Sequence, residues 1–368
     1  MSKGIYSKAQ EHVKDYWPRC CAIRDRELVF IGMEYEGDGE GVCVTFYSPN
    51  IENVWGAKCE GRYYRSRCCI VPSENNAFVL VGWNGDVIAQ HGFKQNGRPN
   101  LEIEVNIPIL SNCPIMRIRH IAGQAYVAAS WRTVFRREGI DKWTCLSGND
   151  PKQVEQWQKD RADLGFNDIG GFAENDIYAC GGQADLQYFD GEHWQQLDCP
   201  TNFELTSLCC APNGKVYIGC EKGVLIEGRA EKWKVIDAKA PDIDISDMVW
   251  YQDQLYLACG MYGLYVFNGE TIQPAPGLST LGSMVTGQND LSDDTKRVLA
   301  DAGADKDMAE LADTLSLNND VLAPASVHTL STDGEILLVA GTDKVVAFDG
   351  EKWKVLFAPY GIDMGGEL

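Results

Sequence analysis

The 368 residues carry 53 acidic against 33 basic side chains, a formal charge of -20, and are 45% apolar and 10% aromatic with 37 glycines. That apolar content excludes a disordered chain, and so many glycines argue against a helical bundle and for a β-rich fold with many turns. The acidic surplus weighs against direct binding to nucleic-acid phosphates, which needs clustered Lys and Arg, and suits a basic protein partner; the plainer reading is a surface kept soluble by charge.

The opening stretch MSKGIYSKAQEHVKDYW lacks the apolar core of a signal peptide. No window approaches the ~18 unbroken apolar residues of a membrane span, so the expectation is a cytoplasmic protein with reduced thiols. Residues 6–16 read as a short helix. Strand-like runs then recur along the chain: ELVFIG (27–32), AFVLVG (77–82), AYVAAS (125–130), DIYACG (176–181), KVYIGC (215–220), QLYLAC (254–259) and EILLVA (335–340). Each is rich in β-branched and aromatic residues and apolar enough for burial on both faces.

The spacing is periodic. Tyr178, Tyr217 and Tyr256 lie 39 residues apart, and the equivalent Leu337 follows after one further period plus an insertion of 42. A second signature runs in phase: YFDGEHW (188–194), VFNGETI (266–272) and AFDGEKW (347–353), with decayed forms ending in Trp143 and Trp233. Its Asp-Gly or Asn-Gly pair predicts a tight hairpin turn with positive φ angles, and it places Trp143, Trp194, Trp233 and Trp353 on the outermost strand of each unit as covering residues. Four short strands in each unit of roughly 40 residues, seven times over, resemble a seven-bladed β-propeller of the broad WD40, YVTN and kelch-like class. The Gly-His and Trp-Asp dipeptides of true WD40 repeats are missing, as is the kelch glycine pattern apart from Gly181-Gly182.

The phase implies one all-β propeller domain over 1–368, with blades at about 17–60, 61–107, 108–146, 160–198, 202–238, 242–276 and 325–358. The last blade contains all four of its strands, so the sequence does not show how the ring closes. Two insertions break the period: 149–165, expected to be helical, and the acidic 277–324, which reads as two helices with Ser292 as N-cap and Gly303 as the break between them. From Gln288 to Asp320 there are nine acidic residues against Lys296, Arg297 and Lys306. Propeller geometry puts this long insertion on the face where such folds bind ligands.

Little points to chemistry. His12, His91, His120, His193 and His328 are scattered without ligand spacing, and no nucleophile elbow, P-loop or dinucleotide fingerprint is present. Neither a metal nor another cofactor is expected. EYEGDGEG (34–41) superficially resembles a calcium loop but lacks the closing glutamate. Inner-strand starts carry Arg19, Arg67, Arg117, Asp168, Ser207, Asp247 and His328, so Arg117, Arg119, Asp168 and Asp247 are placed to form a polar ring in the channel.

Three cysteine pairs, Cys20-Cys21, Cys68-Cys69 and Cys209-Cys210, occupy one position on the innermost strand of blades one, two and five. Adjacent strand residues point to opposite faces, so the two members of a pair cannot ligate one metal; packing is the expected role.

The function these features imply is a non-enzymatic protein-binding module. In character, though not by any motif, it resembles bacterial immunity propellers that bind and inhibit a toxin, here a basic one such as a nuclease. The expected contacts are Glu34, Glu36, Asp38 and Glu40, then Asp242, Asp244 and Asp247, and in the insertion Asp293, Asp294, Asp301, Asp305 and Asp307. The alternative is a small-molecule site at the channel mouth, as in a sugar-binding lectin or a propeller lyase or hydrolase.

Overall fold

A computed structural model describes residues 13, 15–35, 41–48, 55–60, 65–159, 165–238, 242–278 and 323–358, with 55–60 described in backbone only. Among these, 28 strands form seven four-stranded antiparallel sheets, each built from four strands consecutive in the chain. The innermost strands are Tyr16–Asp25, Arg67–Val71, Ile115–Ile121, Asp168–Ala173, Leu205–Cys210, Asp247–Tyr251 and Val327–Thr332. Each packs against the next around the ring, and the first packs against the last. The chain is a seven-bladed β-propeller, as its periodicity implies.

What holds the ring is the apolarity of both faces of every sheet. Seven hydrophobic clusters fill the seven seams between neighbouring blades. The paired cysteines show the logic. Cys20 and Cys68 pack into the seam between blades one and two, Cys21 into the seam between seven and one, and Cys69 into that between two and three. Cys210 and Cys209 likewise divide between the seams on either side of blade five. Alternation along a strand sends one thiol of each pair into each flanking seam. All described cysteines are free, and burial pushes the Cys69 and Cys209 thiols up to about 12, which suits inert packing groups.

Among the described residues the ring closes without strand exchange. Blade seven is complete within Val327–Phe357, and its seam with blade one is packed by Ile23, Ile31 and Met33 against Leu338, Val345 and Leu356. Two hydrogen bonds cross the same seam, from Ile23 N to Ser331 Oγ (3.1 Å) and from Thr329 Oγ1 to Arg19 O (3.3 Å).

The repeated tyrosines Tyr126, Tyr178, Tyr217 and Tyr256 are buried on second strands, and the tryptophans begin or nearly begin the fourth strands. Trp194 stacks on Phe189 and Trp353 on Phe348, while the Trp353 indole donates across the seam to Pro276 O (3.0 Å). The Asp-Gly turns differ from the two-residue hairpin expected. Only the glycines, Gly191, Gly269 and Gly350, have positive φ. The preceding Asp190, Asn268 and Asp349 instead each accept hydrogen bonds from the backbone amides two and three residues further on. A side-chain acceptor there closes a four-residue loop and removes the need for a second left-handed residue.

Pro151–Lys159 forms the helix expected within 149–165. The acidic helices expected in 277–324 fall almost entirely outside the described residues, as does the N-terminal helix expected at 6–16, where the first strand begins at Tyr16. Gly181 and Gly341 end second strands where the chain entering each blade crosses close by. A Cβ on Gly181 would overlap Gly165 O, and one on Gly341 would overlap Ser326 O. Gly181→Ala and Gly341→Ala are therefore expected to destabilise the fold by about 1–3 kcal/mol each, read as a lower denaturant midpoint at unchanged slope.

Candidate functional site

Because strands alternate in direction, the hairpins joining second to third strands and the links between blades share one face of the ring. The innermost strands also start at that face, so Arg19, Arg67, Arg117, Asp168, Asp247 and His328 line the channel beneath it. The ring expected from sequence is present. Arg119 donates through Nε (3.1 Å) and Nη2 (2.8 Å) to the Asp168 carboxylate and through Nη2 to Asp247 Oδ1 (2.6 Å). Arg117, on the same side of its strand, donates to Ser246 O (2.9 Å) and lies 3.4 Å from Asp168 and 3.5 Å from Asp247.

Both carboxylates are fully buried, and each ties its own blade to the next. Asp168 accepts from Ile169 N (2.8 Å) and from Leu208 N of blade five (3.0 Å). Asp247 accepts from Met248 N (2.9 Å) and from Leu330 N of blade seven (2.9 Å). Burial pushes the Asp247 carboxyl up, but Arg119, Arg117 and the backbone donor outweigh it and hold the group below the usual range. Through these backbone amides the two carboxylates fix the inner strands in register.

Glu34 and Asp247, expected among the partner contacts, are both interior. Glu34 accepts from Ser66 N of blade two (2.8 Å) and pairs with Arg19 (3.5 Å). Asp242 and Asp244 are exposed on the link between blades five and six, where Asp244 also accepts from Lys222 N (3.0 Å). Glu36, Asp38 and Glu40, together with Asp293, Asp294, Asp301, Asp305 and Asp307, lie outside the described residues. The residues that flank those two segments, Tyr35 with Gly41 and Leu278 with Ala323, are on the same face as Asp242 and Asp244.

The face also carries exposed apolar side chains that the charge-based reading missed: Trp17 and Tyr35 on blade one, and Met261 with Tyr262 at the hairpin tip of blade six. The signal was available in CGMYGLY (259–265), where two large apolar residues sit between turn glycines. The face is stiffened by Arg132, which donates bidentately to Asp185 of blade four (2.7–3.1 Å) and to Gln196 (2.8 Å). Among the described residues no group of His, Cys, Asp or Glu is arranged to hold a metal ion, and no helix is long and apolar enough to cross a membrane.

A second buried charge cluster joins blades two and three away from the channel. Arg137, fully buried, donates to both Glu104 oxygens (2.6 and 2.8 Å) and both Glu74 oxygens (2.7 and 3.1 Å), while His91 Nε2 lies 2.7 Å from Glu104. Burial raises the Glu104 pKa, but the hydrogen bonds from Arg137 and His91 prevail and hold it below its ordinary value of 4.5.

These features define a WD40-like seven-bladed propeller. Solved structures share the architecture at low identity: the WD40 β-propeller domain of Doa1 (TM-score 0.57, 9% identical, covering 92% of this chain and 94% of that one), YCF48 from Cyanidioschyzon merolae (0.56, 11%, 92% and 97%) and Saccharomyces cerevisiae Sqt1 (0.55, 14%, 95% and 87%). At that identity they show the fold alone. No family model matches the chain. The chain is, however, similar to the immune protein Tsi7 of Pseudomonas aeruginosa, 34% identical over 139 residues, which is 38% of this chain. The match spans 44% of that relative's own length.

Removing Arg119 takes the closest cation from two buried carboxylates and leaves them Arg117 at 3.4 and 3.5 Å and their backbone amides. Arg119→Leu is expected to cost about 3–5 kcal/mol in a denaturant titration. The pH dependence has a definite sign. Asp247 and Glu104 have folded pKa values below their ordinary 3.8 and 4.5. Their contribution is complete above those ordinary values and is lost as pH falls through the folded ones. Stability measured from neutral pH down to about pH 3 should therefore fall on the acid side, and less steeply in Asp247→Asn.

Proposed function

We propose that the chain is an immunity protein: a non-enzymatic propeller that acts in the cytoplasm and binds and inhibits a protein toxin. The observation that carries the reading is the 34% identity over 139 residues with the immune protein Tsi7. The charge of -20 supports a basic toxin, such as a nuclease whose groove is charged to hold phosphate. The contact surface in this reading is the face bearing the blade links. Exposed Asp242 and Asp244 steer the approach there, joined by Glu36, Asp38, Glu40 and the insertion's Asp293, Asp294, Asp301, Asp305 and Asp307. Met261 and Tyr262 supply apolar anchors of the kind that dominate interface energetics. Glu34 and Asp247 support this surface from beneath and make no contact of their own.

Co-expression with a growth-arresting basic toxin domain, sought first among the products of neighbouring genes, tests the reading. Growth should be restored, and the two purified chains should form a stable complex; continued toxicity with no complex sinks it. Asp242→Lys should lower the association rate several-fold and flatten its salt dependence, whereas Tyr262→Ala should act on the dissociation rate.

A further inference from the structure

Among the described residues the channel of this acidic protein is lined by more arginines than carboxylates. Facing one another from the inner strands and their flanks are Arg19, Arg67, Arg117 and Arg119 on one side of the balance and Glu34, Asp168 and Asp247 on the other, with His328 beside them. The carboxylates are already committed. Asp168 and Asp247 serve Arg119, Arg117 and four backbone amides; Glu34 serves Arg19 and Ser66 N. Arg67 is left over. Its one hydrogen bond runs from Nη1 to the carbonyl of the preceding residue, Ser66 (3.1 Å), its Nε is buried without an acceptor, and among the described residues no carboxylate lies within ion-pair reach. The buried Nε atoms of Arg19 and Arg117 also lack a hydrogen-bond acceptor, although each lies near a carboxylate.

The surroundings register this crowding. Burial, then Arg117 and Arg19, push the Arg67 guanidinium down to about 10, and burial, then Arg19 and Arg67, push His328 down to about 4. A half-buried guanidinium with a buried Nε and no counter-ion among the described residues is stabilised when an anion reaches it, and the donor fork of arginine matches the oxygens of an oxyanion.

We propose that the upper channel is a binding site for a small tetrahedral oxyanion of the phosphate type, held by Arg67 together with Arg19 and Arg117, with His328 at its edge. Donors arriving from three blades surround a tetrahedral group better than a planar one. The site is independent of toxin binding, and it is tested on the isolated full-length chain, so either idea can fail alone.

The experiment titrates inorganic phosphate into phosphate-free protein by calorimetry and by thermal melting, with chloride at matched ionic strength as reference. One saturable site is expected, with a melting temperature that rises with the logarithm of phosphate concentration beyond the dissociation constant. Arg67→Gln should weaken binding at least tenfold, yet be as stable as the parent without phosphate because it removes an unpaired charge. Arg67→Lys, which keeps the charge without the fork, should retain weakened binding. No saturable binding, or equal binding by the parent and Arg67→Gln, overturns the site. Acetate binding more tightly than phosphate overturns the assignment of its class.

Discussion

The ring depends on one buried arrangement, the Arg119 guanidinium held between Asp168 and Asp247. Arg119 belongs to blade three and the carboxylates to blades four and six, and through backbone amides those carboxylates also hold blades five and seven. Five of the seven inner strands thus meet in one network. Seam packing alone tolerates small slips of one blade past another, since apolar contact is non-directional. A saturated charge network does not, because any slip strands a buried ion.

That division of labour frees the rest of the molecule. The seams supply cohesion through seven apolar clusters, the network supplies register, and the face bearing the blade links is left to vary in its loops. On this face acidic Asp242 and Asp244 coexist with exposed Trp17, Tyr35, Met261 and Tyr262. A surface of that kind combines long-range attraction for a basic partner with short-range apolar anchoring.

The contrast between outside and inside is equally physical. A net charge of -20 sits around a channel where, among the described residues, arginines outnumber carboxylates. The acidic exterior and the cationic axis are separated by apolar sheet packing. The axis therefore stays electrostatically distinct from the surface, and an anion at the centre and a basic protein at the rim do not exclude each other.

The sequence by itself determined the architecture. The 39-residue spacing of Tyr178, Tyr217 and Tyr256, the tryptophans after the Asp-Gly turns, and the split of each cysteine pair to opposite sheet faces all follow from strand periodicity, which is local. Partners at the axis are not local. Asp242, Asp244 and Asp247 look alike in the chain, yet the first two are exposed and the third is buried against arginines more than a hundred residues away. Glu34 likewise reads as part of an acidic surface run and ends as the acceptor for an amide of the next blade. Only the tertiary structure decided these, and only it left Arg67 without a counter-ion among the described residues, because burial and pairing at the centre of a ring depend on which seven strands converge there.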